Sequence, residues 1–344
     1  MKVLIKTFVL GANHGQFLQA LGLASELRKS SSYTVIHHSS FNNHLLKEIL
    51  VHALCFSLPK FIRFHIAWIK NFKLISPNVH ATKNYDATIF GSDMIWSNAS
   101  DFFNISSFYF QSPESRRLIS YAPSSALATK PLPSEIINKL CDFYRISVRD
   151  YNTRLIIKSV ANAPIVCDPS FFLFYPIKSR DSITKNSKRV ALVYGSPRLA
   201  RFISNHKLFT QFTISSPFYS SRFNLTHSLK TIRCQLESPL AIINRYKEAS
   251  LVITETFHGT ILALAHNVPF VCFANELVFG RLEPYLKFFS PTRIVNSRTP
   301  FDYNADNLDV TELLSIIDFK SNDLNSFIDK SRAWLHESLL DSDL

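Results

Sequence analysis

The sequence predicts an α/β protein with two doubly wound, Rossmann-like domains that face each other across a cleft. Short apolar runs of strand length alternate with segments whose apolar residues recur at helical spacing, a pattern typical of parallel sheets covered by helices. The chain has 344 residues, enough for about two domains. A polar stretch near residues 176–188 divides the alternating pattern into two series.

The first series supports an N-terminal domain over residues 1–177. Each expected strand ends in a short polar or glycine-containing turn, where doubly wound sheets bind their ligands. The expected strands are 3–5 together with 8–10, 33–36, 87–90, 118–121 and 146–148, and the expected helices are 17–28, 134–144 and 151–159.

The second series supports a C-terminal domain over residues 188–320. A last helix over 324–340, within a final segment 321–344, is expected to pack back on the N-terminal domain. The other expected elements are strands near 190–194, 210–214, 251–254 and 270–273 and helices near 199–204, 239–249, 258–266 and 310–317.

Composition narrows the class of protein. Hydrophobic residues make up 46% and charged residues 19%, which is typical of a globular protein. The net charge of +12 suggests an anionic partner. Without a basic run, zinc-finger spacing or an RNP-like aromatic motif, nucleic acid is not expected. Five cysteines without a CxxC pair, and no evident leader or apolar span, favour a cytoplasmic protein with free thiols.

A basic amphipathic helix is expected near residues 59–73. Its basic side carries Lys60, Arg63, Lys70 and Lys73, and its apolar side carries Phe61, Phe64, Trp68, Ile69 and Phe72. The apolar side packs either into the domain core or against an anionic bilayer. The second alternative would place the protein peripherally at the inner face of the plasma membrane.

The segment Thr254–Thr260 carries the strongest local signal. It follows the apolar run 251–253, and His258-Gly259 opens an apolar helix. A histidine at a helix N-terminus lies beside backbone N–H groups that lack intrahelical partners, which predicts an anion-binding site.

Further short motifs occur in a fixed order around this segment. They are Asn13-His14-Gly15-Gln16-Phe17-Leu18-Gln19-Ala20, Gly91-Ser92-Asp93-Met94-Ile95-Trp96, Ser120-Tyr121-Ala122-Pro123-Ser124, Ile146-Ser147-Val148-Arg149-Asp150, Cys167-Asp168-Pro169-Ser170-Phe171, Thr256-Phe257-His258-Gly259-Thr260, Asn267-Val268-Pro269-Phe270 and Gly280-Arg281-Leu282. In this order and spacing, the series resembles the polysaccharide pyruvyl transferase family over about residues 3–290.

The resemblance implies a GT-B-like fold and an enzyme that moves pyruvate from phosphoenolpyruvate onto two hydroxyls of a sugar. The product is a cyclic ketal, and phosphate is released. The acceptor would be a surface polysaccharide, such as an exopolysaccharide or capsule, or its lipid-linked precursor, bound by the N-terminal domain. Phosphoenolpyruvate is the donor substrate bound by the C-terminal domain, and no cofactor is expected.

This chemistry requires cations, an acid and a base. We expect His258 to be the acid or a phosphate ligand, and Arg149 and Arg281 to bind the donor's anionic groups, with Arg281 in a loop after the strand 270–273. Some relatives carry arginine two residues before the histidine, where this chain has Thr256.

Two carboxylates are candidates for the base. Asp93 follows the buried strand 87–90 and Glu255 follows the strand 251–254, and the sequence does not choose between them. The other expected substrate-binding residues follow strands or open helices: Asn13, Gly15, Ser92, Gly259 and Thr260. No His, Cys or Asp cluster has metal-ligand spacing, so no metal is expected.

Two other functions fit parts of the pattern. A GT-B glycosyltransferase could bind the diphosphate of a nucleotide sugar with the same histidine and arginines, and a ribose with Glu255. A membrane-surface binding protein without turnover would depend on Lys60, Arg63 and Lys70. The sugar, the hydroxyl pair, the ketal stereochemistry and the oligomeric state are not encoded in any recognisable motif.

Overall fold

The computed structural model contains two parallel sheets, each with helices packed on it. It describes residues 1–38, 58–75, 84–97, 109–110, 112, 114–126, 132–178, 189–217, 237–296, 303, 309, 314 and 319–340. The predicted fold class, two doubly wound α/β halves, is confirmed.

The first sheet has six parallel strands in the order β3-β2-β1-β4-β5-β6. The order reverses between β1 and β4, and ligands of such sheets bind beyond the strand ends at this switch point. The strands are β1 Lys2–Lys6, β2 Thr34–His38, β3 Leu74–Ile75, β4 Tyr85–Phe90, β5 Ser115–Ser120 and β6 Arg145–Ile146.

Helices of the same half cover this sheet, and a 3-10 helix, Pro169–Leu173, packs on the first of them. They are α1 His14–Arg28, α2 Leu58–Asn71, α3 Ser134–Leu140 and α4 Tyr151–Ile156.

The second sheet has five parallel strands in the order β11-β10-β9-β7-β8, with its switch point between β7 and β9. Its strands are β7 Val190–Tyr194, β8 Thr213–Ser215, β9 Leu251–Thr254, β10 Phe270–Ala274 and β11 Ile294–Asn296. Its helices are α5 Pro197–Asn205, α6 Ala241–Glu248, α7 Phe257–Ala265 and α8 Glu276–Leu282, with 3-10 turns at Lys207–Phe209, Glu283–Phe288 and Pro291–Arg293.

Several element boundaries differ from the sequence-based expectation. Residues 8–10 do not extend β1, since Leu10 has a positive φ of 66°. The helix expected over 134–144 ends at Leu140, and β8 begins only at Thr213. The expected helix 310–317 and the polar stretch 179–188 lie almost wholly outside the described residues.

The aromatic side of α2 belongs to the core. Phe64 and Trp68 are buried and make edge-to-face contacts with Phe17 of α1. Burial of such rings stabilises the fold by several kcal/mol, so that these aromatic side chains belong to the core and are not available as a membrane anchor. The sequence-based division of this helix was therefore wrong in two places: Ile69 is exposed, whereas Lys60 lies over the ring of Phe64.

The C-terminal helix α9, Ser321–Leu339, packs on the N-terminal half. The Ser331 hydroxyl accepts a hydrogen bond from Cys167 N (2.9 Å), and the Asn325 side chain binds both backbone groups of Ile177.

A buried carboxylate also ties this helix to α1. Glu26 binds Arg332 Nε (2.9 Å) and His336 Nε2 (3.1 Å). Burial alone would raise the pKa of Glu26, but hydrogen bonds from His336, Lys29 and Arg332 lower it to about 2. In the part of the chain that the structure describes, no helix is both long and apolar enough to cross a bilayer.

Candidate active site

The site begins in the turn that follows β4. Gly91 has φ of 127°, and a Cβ there would lie 2.0 Å from the Tyr121 carbonyl oxygen, so only glycine fits. Ser92 and Asp93 follow, and Asp93 also has a positive φ, of 81°. Its Oδ1 accepts a hydrogen bond from Met94 N (2.9 Å). This turn places the Ser92 and Asp93 side chains at the switch point of the first sheet.

The turn after β1 brings the two halves into contact. Asn13 caps α1, because its Oδ1 accepts hydrogen bonds from Gly15 N (2.8 Å) and Gln16 N (3.3 Å). Gly15 lies directly against His258, since a Cβ at Gly15 would be 2.2 Å from Nδ1 of that imidazole. The structure thus joins three predicted site residues, Asn13, Gly15 and His258, across the cleft.

The N-terminus of α7 holds His258 at this contact. Thr256 caps the helix by accepting a hydrogen bond from Gly259 N (3.0 Å), and the Thr260 hydroxyl donates to Thr256 O (3.2 Å). A Cβ at Gly259 would lie 2.0 Å from Thr254 Oγ1. The Gly259 N–H and the Thr260 hydroxyl therefore make hydrogen bonds within the helix terminus, and these bonds position His258.

Arg149 lies at the centre of the cluster and is fully buried. Its Nη1 donates to Asp168 Oδ2 (2.8 Å) and to Gln19 Oε1 (3.4 Å), and its Nη2 lies 3.7 Å from Asp93 Oδ1. Gln19 Oε1 also accepts a hydrogen bond from Ser92 Oγ (2.6 Å). Residues from four separate chain segments thus meet at one guanidinium.

Asp168 lies between two basic side chains of the cluster, Arg149 and His258. Its Oδ1 accepts from Ser170 N (3.0 Å) and Ser170 Oγ (2.6 Å), and its Oδ2 lies 3.7 Å from His258 Nε2 as well as beside Arg149. Burial alone would raise the pKa of Asp168, but His258, Arg149 and the Ser170 hydroxyl hold it well below its usual range. Asp168 is therefore an anion that fixes its two neighbours.

A second guanidinium shares an aromatic ring with Arg149. The carbon centres of Arg149 and Arg281 lie 4.6 Å and 5.4 Å from the centroid of Phe257. Arg281 was predicted in a loop, but it lies in α8, where its Nε donates to Leu277 O (3.1 Å). Burial and the charge of Arg149 lower the pKa of Arg281 to about 10.

Hydrogen-bonding capacity remains open at this cluster. Among the residues that the structure describes, Nε and Nη2 of Arg149, Nε2 of Gln19 and Nε2 of His258 are buried without a hydrogen-bond partner. Buried polar atoms are nearly always paired in folded proteins, and an exception calls for an explanation such as a ligand. The cluster has the composition of an anion-binding site, with two guanidiniums and an imidazole.

Glu255 belongs to a different cluster. Its Oε1 accepts a hydrogen bond from Ser196 N and its Oε2 accepts one from the Tyr303 hydroxyl. Ser196 also caps α5. The structure therefore links Glu255 to the switch point of the second sheet, and both of its oxygens have protein partners there.

The sequence alone did not single out Asp168, Gln19 or Phe257 as site residues. Asp168 precedes a proline and caps a 3-10 helix, so its pattern is that of a helix cap. Its second oxygen is the one that binds Arg149. Within the described ranges, no group of three or more His, Cys, Asp or Glu side chains is arranged to hold a metal ion.

Comparison with known families identifies the class of protein. The family model for polysaccharide pyruvyl transferases matches residues 13–276, which is more than half of the chain. The chain belongs to the polysaccharide pyruvyl transferase family, whose members are transferases. No curated protein matched the chain.

Solved structures agree with the GT-B-like fold. UDP-GlcNAc 2-epimerase from Neisseria meningitidis aligns with a TM-score of 0.51 and 10% identity, over 98% of this chain and 99% of the epimerase. A putative UDP-N-acetylglucosamine 2-epimerase from Listeria monocytogenes aligns with a TM-score of 0.52 and 10% identity, over 99% of this chain and 97% of the epimerase. At this identity, the likeness concerns the fold alone.

Proposed function

We propose that this enzyme transfers pyruvate from phosphoenolpyruvate to two hydroxyls of a sugar in a surface polysaccharide or its lipid-linked precursor. The observation that carries the proposal is the set of buried Arg149 and His258 nitrogens without hydrogen-bond partners among the described residues, beside the second guanidinium of Arg281. Membership of the pyruvyl transferase family gives the reaction class.

The donor's charge fits the cluster. Phosphoenolpyruvate carries a phosphate and a carboxylate, and guanidinium groups bind both through paired N–H donors. Arg149 is already balanced by Asp168, whereas Arg281 has no carboxylate within ion-pair distance among the described residues. A bound dianionic phosphate would provide a negative charge opposite Arg281, and it would accept hydrogen bonds from the unpartnered Nε and Nη2 groups of Arg149.

The reaction needs two proton transfers from the sugar. As each sugar hydroxyl adds to C2 of the donor, it loses its proton. One of the two protons ends on C3, which becomes a methyl group, and the other ends on the phosphate that departs with the bridging oxygen. The C2–O bond to phosphate breaks and two C–O bonds form, so that atoms and charge balance without an oxidant or a metal as reactant.

Two side chains are suited to these transfers. His258 lies at the helix N-terminus with Nε2 open, and we assign it to the donor phosphate and to proton delivery. Asp93 lies 3.7 Å from Arg149, and we assign it as the base that accepts the hydroxyl proton. Glu255 is less suited, because both of its oxygens accept hydrogen bonds from the protein.

The acceptor would enter from the first sheet, past the turns that carry Asn13, Gly15 and Ser92. A sugar presents hydroxyls that the polar side chains at a strand end can bind, and this sheet edge supplies them at its switch point. We place the reaction in the cytoplasm, where phosphoenolpyruvate is made and where lipid-linked glycans are assembled before export to a capsule or an exopolysaccharide.

A thermal-melt comparison tests the donor without knowledge of the acceptor. The wild type, His258→Ala and the control His206→Ala are melted with phosphoenolpyruvate and, separately, with a set of nucleotide sugars. His206 is also a helix-boundary histidine of the second half, but it lies outside the cluster.

Ligand at about 100 times its dissociation constant adds roughly 2.7 kcal/mol of stability. We expect phosphoenolpyruvate to raise the melting temperature of the wild type and of His206→Ala but not of His258→Ala. A shift with a nucleotide sugar alone would reject pyruvyl transfer in favour of glycosyl transfer.

A further inference from the structure

The outer face of helix α2 carries an exposed apolar stripe. Ile62, Ile66 and Ile69 are 48%, 39% and 66% exposed, and they recur at the spacing of one helix face. The opposite face is buried in the core through Phe64 and Trp68. The orientation of the helix is therefore fixed by its aromatic side, and the isoleucines point away from the protein.

Basic residues flank this stripe. Arg63, Lys70 and Lys73 are exposed beside the isoleucines, and the segment 58–75 contains no Asp or Glu. The other exposed large hydrophobic residues of the described ranges do not form a row of three on one helix: Tyr144, Tyr151, Leu155 and Leu340. The α2 segment thus combines exposed isoleucines with positive charge and carries no acidic residue of its own.

We propose that α2 docks the enzyme on an anionic lipid bilayer through Ile62, Ile66 and Ile69, with Arg63, Lys70 and Lys73 on lipid headgroups. An interfacial helix binds by burying apolar side chains at the acyl boundary while its basic residues pair with anionic lipids. The net charge of +12 adds long-range attraction to the same surface. An acidic protein with an apolar patch is the competing occupant, and its binding would not depend on anionic lipid.

The docking helix also contacts the candidate active site. Trp68 Nε1 donates to Gly11 O (3.1 Å), and Phe64 packs on His14 with ring centroids 4.9 Å apart. Gly11 and His14 flank Asn13 in the turn that reaches His258. A bilayer held on the outer face of α2 would therefore lie one helix away from the sugar side of the cleft. The evidence for membrane docking is the exposure and charge of α2, and it is independent of the proposed reaction.

Vesicle binding tests the surface directly. The full-length protein is sedimented with vesicles of phosphatidylcholine alone and of equal parts phosphatidylcholine and phosphatidylglycerol. The variants are Ile62→Asp/Ile69→Asp, the conservative Ile62→Leu/Ile69→Leu, the charge reversal Arg63→Glu/Lys70→Glu, and the matched control Leu155→Asp. Leu155 is 68% exposed on α4, so that its change introduces the same charge elsewhere on the surface.

We expect binding only to the anionic vesicles, unchanged in Leu155→Asp and in the leucine variant. The aspartate pair and the charge reversal should each lower the bound fraction about tenfold or more, with unchanged melting temperatures. Binding that is equal in all variants, or absent in the wild type, would overturn the proposal. Light scattering on the same samples completes the test, since a wild-type dimer that Ile62→Asp/Ile69→Asp dissociates would assign the stripe to a second copy of the chain.

Discussion

Glu255 and His258 follow the same strand, yet they lie in opposite kinds of surroundings. Glu255 turns towards the second sheet, where Ser196 and Tyr303 use both of its oxygens. His258 turns towards the first sheet, where Nε2 faces Asp168 at 3.7 Å without a hydrogen-bond partner in the described part of the chain. The difference teaches that a polar residue at a strand end indicates a binding site only when the protein leaves its hydrogen-bonding atoms without partners.

The same contrast holds for the cations. Arg332 near the C-terminus is matched by Glu26 and Asp329, whereas Arg281 donates only to a carbonyl and a thioether sulfur among its described contacts. The charge of Arg332 is neutralised within the protein, whereas the charge of Arg281 would be neutralised only by a bound anion. Four substitutions test the contrast between paired and open polar groups, and the largest effect is expected at Arg149, in the centre of the cluster.

Arg149→Met should abolish phosphoenolpyruvate binding and lower the free energy of unfolding by about 3–5 kcal/mol, because Asp168 is left buried without its partner. Calorimetric titration and urea unfolding measure the two effects. The double variant Arg149→Met/Asp168→Asn should regain much of the stability while binding stays lost. Recovery of binding in the double variant would show that Arg149 only balances Asp168.

Asp168→Asn should lower the free energy of unfolding at neutral pH by about 3 kcal/mol. The folded-state pKa of Asp168 lies below its unfolded value, so that its charge stabilises the fold above about pH 4 and this contribution is lost as the pH falls further. Urea unfolding at a series of pH values should show the difference between wild type and variant shrinking below about pH 4. A difference that stays constant with pH would contradict the charged role of Asp168.

Arg281→Met should raise the dissociation constant of phosphoenolpyruvate about 10- to 100-fold, the loss expected for one charge-assisted pair. Burial already lowers the pKa of Arg281, and its charge lies near Arg149, so removing the charge should leave the stability unchanged or improve it. The control is Arg332→Met, which should lose stability and keep its affinity for the donor. The reverse pattern would assign Arg281 a structural role.

Glu255→Gln should have the smallest effect on the donor, with a dissociation constant for phosphoenolpyruvate within about twofold of wild type. The free energy of unfolding should fall by about 1–2 kcal/mol, because the bonds to Ser196 and Tyr303 lose the carboxylate charge. Titration calorimetry checks the first value. A loss of affinity greater than tenfold would move the donor to the second switch point.

Strand-end reasoning predicted several residues whose side chains meet in the structure. Asp93, Arg149 and His258 follow parallel strands or open a helix, and their side chains meet as the shared polarity of parallel strands requires. Asp168 and Gln19 escaped this reasoning, because one caps a 3-10 helix and the other lies inside α1. Neither position differs locally from an ordinary cap or core residue.

Helix α2 shows the same limit of sequence-based reasoning. Helical periodicity correctly predicted an amphipathic α2, but it grouped Ile69 with the aromatic residues that are in fact buried. Helical periodicity gives the angle at which each side chain leaves the helix, but which face turns inward depends on the rings that pack against Phe17. That fit is a property of two helices and is absent from either segment alone.

The fold class, the two parallel sheets and the family could be predicted from the sequence, because periodicity, turn residues and ordered motifs can be read along the chain. Which polar groups keep unused hydrogen-bonding capacity depends on tertiary contacts. Asp168 neutralises Arg149, Tyr303 donates a hydrogen bond to Glu255, and Arg281 has no carboxylate within ion-pair distance among the described residues. These pairings join residues that are distant in sequence. Because electrostatic interactions are stronger in a buried, low-dielectric environment, each partner that is present or missing there has a large effect on stability and binding.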